Sequence, residues 1–160
     1  MSLLKFFRER GWLNEQTREN GENWGPHLQE LDPSELKVFE PEHLLSLFNH
    51  EAPETAFPLI AGVLKKALEM QEKRLKDLQI AVAERNQEKI SFLGHQLKGS
   101  YAATGSPLLA NLGAGLEEMG KRGDWPAILE SQPKLLTLHQ LYQKQVTHFL
   151  ATRWPPGNAH

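Results

Sequence analysis

The sequence predicts an all-α protein: an antiparallel up-down four-helix bundle with an extra short N-terminal helix or helices. Three observations carry this. Leucine dominates the apolar residues while valine, isoleucine and threonine are sparse, so no run alternates like a strand. Apolar residues recur at three- and four-residue steps along four long stretches. Short turns separate those stretches, and short connections make neighbouring helices antiparallel.

The elements follow in order. Ser2–Arg10 reads as a short amphipathic helix, with Phe6 and Phe7 covering the bundle. "GWLNEQTRENGENWGPH" is rich in Gly, Asn and Glu and reads as loop or linker, so residues 1–35 form an N-terminal extension. "EPEHLLSLFNHEAP" predicts a short helix that caps one end of the bundle, with Pro41 near its start and Pro53 past its end. The first long helix should start at Thr55 or Pro58 and run to Arg85, on a stripe of Ile60, Val63, Leu64, Ala67, Leu68, Leu75, Leu78 and Val82. "ERNQEK" turns the chain into a second helix that ends at Gly105. Ser106–Pro107 is a good N-cap followed by proline at the first helical position. The third stripe is Leu109, Leu112, Leu116 and Met119, closed by "GKRG". Asp124 should cap the last helix, whose apolar side is Ile128, Leu129, Leu135, Leu138, Leu141, Tyr142 and Phe149. Pro133 should kink or interrupt it. The bundle domain is then 36–152, with a frayed tail at 153–160.

Composition narrows the function classes. The chain has 160 residues, a net charge of −2 and no cysteine. There is no basic field for nucleic acid, no disulfide and no thiolate chemistry. No apolar run reaches the roughly 18 residues of a membrane span. Lys5, Arg8, Glu9 and Arg10 interrupt the N-terminus too early for a signal peptide. A cytoplasmic monomer with no nucleic-acid or membrane partner is expected, and the initial Met1 favours a free-standing chain. His27, His43, His50, His139, His148 and His160 show no metal-binding spacing. There is no Gly-rich phosphate loop, so autokinase activity from ATP is not expected. Gly113 and Gly115 read as close helix packing. Glu117 and Glu118 read as a solvated helix face without catalytic use.

The stretch "ISFLGHQLKGSYAATG" carries the functional signal. At about 100° per residue, Ile90, Leu93, Leu97, Tyr101 and Thr104 share one face, the core stripe. His95 falls opposite, among Ser91, Phe92, Lys98, Gly99, Ala102 and Ala103. Glycine inside a helix costs about 1 kcal/mol relative to alanine. Its use at Gly99, one turn after His95, is clearance for something bulky approaching the imidazole. Ala102 and Ala103 extend that low surface. Phe92 has two open readings: packing on the adjacent long helix, or contact with a partner. A neutral imidazole is a competent nucleophile. Lys98, three residues on, can neutralise charge on a group transferred to the ring.

"HQLKGSYAATG", followed by "LLANLGAGLEEM", resembles the histidine-containing phosphotransfer (HPt) domain of multistep two-component phosphorelays. The family pattern is histidine, any residue, leucine, lysine, glycine, then serine or alanine, with a glycine a few residues later. A leucine-rich helix with a Leu-Glu pair follows, matched by Leu116–Glu117. The likeness spans Leu36 to Leu150, including "RGDWPAILES". It departs from the family at "AERNQEK", where a Gly-Asp pair is frequent, and over the first 35 or so residues, which have no counterpart. The resemblance implies a four-helix-bundle core and a histidine phosphorylated on Nε2. It implies that His95 is the phosphoacceptor, that Lys98 stabilises the phosphoryl group and that Gly99 leaves room for the partner. Ser91, Phe92, Ala102 and Ala103 would contact that partner. The expected partners are receiver domains of a hybrid sensor kinase or of response regulators, which supply the aspartate and Mg²⁺; this chain needs no cofactor of its own. The alternative function is a non-phosphorylated helical adaptor that binds receivers or another signalling partner.

Overall fold

The computed structural model describes residues 36–48 and 50–152. They form five helices: α1 Glu42–Ser46, α2 Pro53–Ala83, α3 Gln87–Ala103, α4 Pro107–Arg122 and α5 Trp125–Thr152. No strand occurs among the described residues, and the fold they form is all-α, as the leucine periodicity predicts. The expectations for Ser2–Arg10, Phe6, Phe7 and the tail lie outside the described residues.

Local chemistry sets the helix ends. Asn86 accepts from the Lys89 amide at 3.0 Å and opens α3. Ser106 accepts from the Leu109 amide at 3.2 Å, with Pro107 first in α4. Asp124 accepts from the Ala127 amide at 3.3 Å and opens α5. Each such cap satisfies an amide that has no partner inside its helix. Gly105 breaks the chain after α3 with φ +83°. That left-handed conformation suits glycine, and a Cβ there would also collide with the Glu40 carbonyl oxygen.

Five expectations need correction. The short helix is confined to Glu42–Ser46. The first long helix begins earlier than expected, at Pro53, and ends at Ala83. Ala52 is extended before it, and proline is well suited to a first helical position, so Pro53 starts α2 and Pro58 falls inside it. Pro133 does not interrupt α5, which continues through it. Pro133 and Leu129 both face solvent, so water can satisfy the Leu129 carbonyl that the missing N–H leaves over. Leu129 is consequently 47% exposed and does not join the core. Val63 is 41% exposed. It stands beside the buried line of Ile60 and Leu64 on α2 and not on it.

The remaining stripes meet in one core. Ile60, Leu64, Leu78, Ile90, Leu93, Leu97, Leu109, Ile128, Leu138 and Tyr142 are almost fully buried. A segment at residues 36–40 straps the end of the bundle. Gln145 accepts from the Val38 and Phe39 amides and donates to the Leu36 carbonyl. The Glu40 amide donates to the Gly105 carbonyl at 2.6 Å. Phe39 is thereby held edge-on against Tyr142 and Phe149.

α3 and α4 run antiparallel and nearly touch. A Cβ on Gly94 would lie 2.6 Å from the Glu117 amide nitrogen, and one on Gly113 would lie 2.7 Å from the Lys98 amide nitrogen. Only residues without a Cβ permit this backbone approach. The packing reading of Gly113 therefore holds.

Candidate functional site

α3 serves two environments from opposite faces. Ile90, Leu93, Leu97 and Tyr101 are at most 1% exposed, and Thr104 is 4% exposed. The opposite face is open. The His95 side chain is 63% exposed, and Gly99, Ala102 and Ala103 are exposed beside it. A Cβ added to Gly99 would meet nothing within 4 Å. Packing therefore does not demand glycine there. Phe92 is 54% exposed, with the Lys89 ammonium 5.9 Å from its ring centre. Ser91 is half-buried.

Glu117 is where the structure departs from the sequence reading. Its side chain is only 14% exposed, whereas Glu118 is exposed as expected. The cause is the close approach of α3 and α4 at Gly94 and Gly113, which carries the Glu117 carboxylate between His95 and Lys98. Glu117 Oε1 lies 3.3 Å from His95 Nδ1. Glu117 Oε2 accepts from Lys98 Nζ at 3.3 Å. Lys121, one turn on along α4, brings Nζ within 3.5 Å of Glu117 Oε1. Partial burial pushes the Glu117 carboxyl up, but the Lys98 hydrogen bond and the charges of Lys98, Lys121 and His95 outweigh it and hold the pKa below its ordinary value. Glu117 is thus a carboxylate at neutral pH.

This carboxylate favours one tautomer of the imidazole. A neutral imidazole carries one N–H and one lone pair. Beside an anion the proton belongs on Nδ1, which leaves the lone pair on Nε2. An open groove of about 500 Å³ receives the ring, lined by Gln87, Ser91, Phe92, Glu117 and Lys121 among others. The structure therefore gathers His95, Lys98, Gly99, Ser91 and Phe92 on one surface. It adds Glu117 and Lys121, which the sequence reading did not select.

A second histidine has a different environment. His139 of α5 is 4% exposed, and its Nδ1 lies 2.8 Å from the Tyr101 hydroxyl. Its Nε2 has no hydrogen-bond partner among the described residues. Burial pushes its pKa down to about 4. It is a neutral core residue whose Nε2 is buried.

The model of the Hpt domain family matches residues 62–148, more than half of the chain. The chain belongs to the Hpt family. Hpt domains are helical bundles that carry phosphoryl groups in two-component phosphorelays. They interact with receiver domains and are phosphotransfer carriers rather than catalysts. The Hpt match runs from within α2 to near the end of α5 and contains the whole groove, whereas the strap and α1 precede it. No curated protein and no solved structure matches the chain. No described helix is long and apolar enough to cross a membrane.

Proposed function

We propose that this protein accepts a phosphoryl group on His95 Nε2 from the aspartate of one receiver domain and passes it to the aspartate of another. The observation that carries the reading is the placement of the His95 ring in an open groove with Nδ1 against Glu117. In transfer, the Nε2 lone pair forms the N–P bond while the donor's O–P bond breaks, its electron pair leaving on the aspartate carboxylate. The ring becomes cationic with its proton still on Nδ1, where Glu117 stabilises it. Return of the phosphoryl to a second aspartate reverses each step.

Lys98 supplies positive charge near the transferred group. Gly99, Ala102 and Ala103 keep the approach low, and Ser91 and Phe92 flank it as docking contacts. Mg²⁺ would belong to the receiver. The protein needs no partner copy and no autokinase activity for this role, so we take it to be a cytoplasmic monomer that waits for a phosphorylated receiver.

The test is transfer of radiolabel from a phosphorylated receiver domain. The label should be acid-labile and base-stable, as phosphohistidine is. His95→Gln should keep its helical signal and lose all labelling. Near wild-type labelling of that variant would refute the assignment, and an unlabelled wild-type chain that still binds receivers would favour an adaptor.

A further inference from the structure

We infer that Lys121 is a positioning residue of the phosphotransfer site: it holds Glu117 so that Lys98 is released to the incoming phosphoryl group. The inference rests on the reading of His95 as phosphoacceptor. Lys98 is the cation nearest His95 in sequence, yet its ammonium is bound to Glu117 Oε2 at 3.3 Å. Its charge is therefore already balanced before any phosphoryl arrives. A phosphoryl group adds close to two negative charges at neutral pH. Set beside the Glu117 carboxylate, it makes about three negative charges in one groove. Lys98 alone cannot balance both.

Lys121 supplies the second cation. Its Nζ lies 3.5 Å from Glu117 Oε1, the oxygen that also faces His95 Nδ1. Lys121 and Glu117 are four residues apart on α4, so their pairing is independent of what α3 does. Glu118 Oε1, 3.8 Å from the same Nζ, keeps the ammonium at this end of the groove. Glu117 meets the ring at Nδ1, whereas the phosphoryl is carried on Nε2. Lys121 thus acts through the carboxylate and not by touching the transferred group. When Lys98 turns to the phosphoryl oxygens, Glu117 keeps one cation and the Nδ1–H, and so stays in place.

A double-mutant cycle on the full chain tests this. The probe is phosphoramidate: the His95 Nε2 lone pair attacks phosphorus, the P–N bond breaks and its electron pair leaves on ammonia. The ³¹P resonance of phospho-His95 is the signal that His95→Gln lacks. Two readouts follow it: the half-life of the phosphohistidine, and the pH at which the phosphoryl group titrates. Lys121→Ala should shorten the half-life about two- to fivefold, the range open to a partly exposed ion pair, and should raise the titration pH of the phosphoryl. Lys121→Arg should restore both. In a Glu117→Gln background, Lys121→Ala should change neither. Unchanged readouts in the wild-type background would overturn the inference, as would an undiminished effect of Lys121→Ala in the Glu117→Gln background. A wild-type ³¹P signal that persists in His95→Gln would instead overturn the phosphoacceptor reading on which the inference stands.

Discussion

His95 and His139 are served by opposite faces of one helix, and they have opposite fates. His95 stands on the open face of α3 with a 63% exposed side chain. His139 reaches the core face of the same helix, where Tyr101, six residues after His95, meets its Nδ1. In both, Nδ1 has a partner. What differs is access: the His95 ring lines an open groove, whereas Nε2 of His139 is buried without a hydrogen-bond partner among the described residues. The character of the Nδ1 partner differs as well. A carboxylate stabilises positive charge on the ring, whereas a phenol hydroxyl in an apolar core does not, and burial keeps His139 neutral. On the proposed function, what would make one histidine a nucleophile and the other a core residue is the surroundings of the ring and not its identity.

The contrast can be broken first at the open side. Gly99→Gln places a long side chain beside His95 where a Cβ meets nothing. The protein should remain as stable as wild type, while the rate of transfer from a receiver falls about ten- to hundredfold through misplacement of the reacting groups. Labelling by phosphoramidate should fall far less. Unfolding of the variant would show that Gly99 is needed for packing, and normal transfer would show that clearance is not its role.

At the sealed side the effect should be on stability and not on transfer. His139→Ala empties a core position and leaves the Tyr101 hydroxyl without its imidazole, at a cost of about 3 kcal/mol in urea unfolding. Labelling per folded molecule should be unchanged. The same residue makes a pH test. Its pKa is about 4 in the fold, against roughly 6.5 in an unfolded chain. Between those values the unfolded chain binds a proton that the folded one does not. Stability should therefore be constant in this respect above about pH 6.5, fall on acidification at up to about 1.4 kcal/mol per pH unit, and stop falling near pH 4. Glu117, with its lowered pKa, adds a further loss only at the acid end. His139→Phe should flatten the slope between pH 6 and 5, and an unchanged slope would assign it to another group.

The smallest effect is expected at Lys98. Lys98→Ala should leave labelling detectable while reducing the transfer rate or the phosphohistidine lifetime a few-fold, since it removes a partly exposed charge. Identical kinetics would make Lys98 a partner of Glu117 alone.

Much of this site was legible in the sequence. The 100° projection of "ISFLGHQLKGSYAATG" separated the core stripe from the His95 face, and the buried and exposed residues of α3 follow it. Capping residues located the starts of α4 and α5 for the same reason, because their chemistry is local. Glu117 was not legible. Its position on α4 marks it as polar, but how far its carboxylate lies from His95 depends on how closely two helices approach. The signal was present in Gly94 and Gly113, two glycines next to core positions on consecutive helices. Only Gly113 was read as packing, and its consequence for Glu117 was not drawn. His139 was missed because a histidine among leucines gives no periodicity of its own. Pro133 and Val63 were misread because a periodic pattern does not say where the edge of a helix's buried face falls.

The central claim is that Glu117 holds the His95 proton on Nδ1 and leaves Nε2 to take the phosphoryl group. The most direct measurement is ¹⁵N and ³¹P NMR of the ¹⁵N-histidine-labelled protein after transfer from a phosphorylated receiver. A ¹⁵N–³¹P coupling at Nε2 of residue 95, with the proton on Nδ1, is the result expected. Coupling at Nδ1 of that ring, or phosphate on any other residue, would contradict the account.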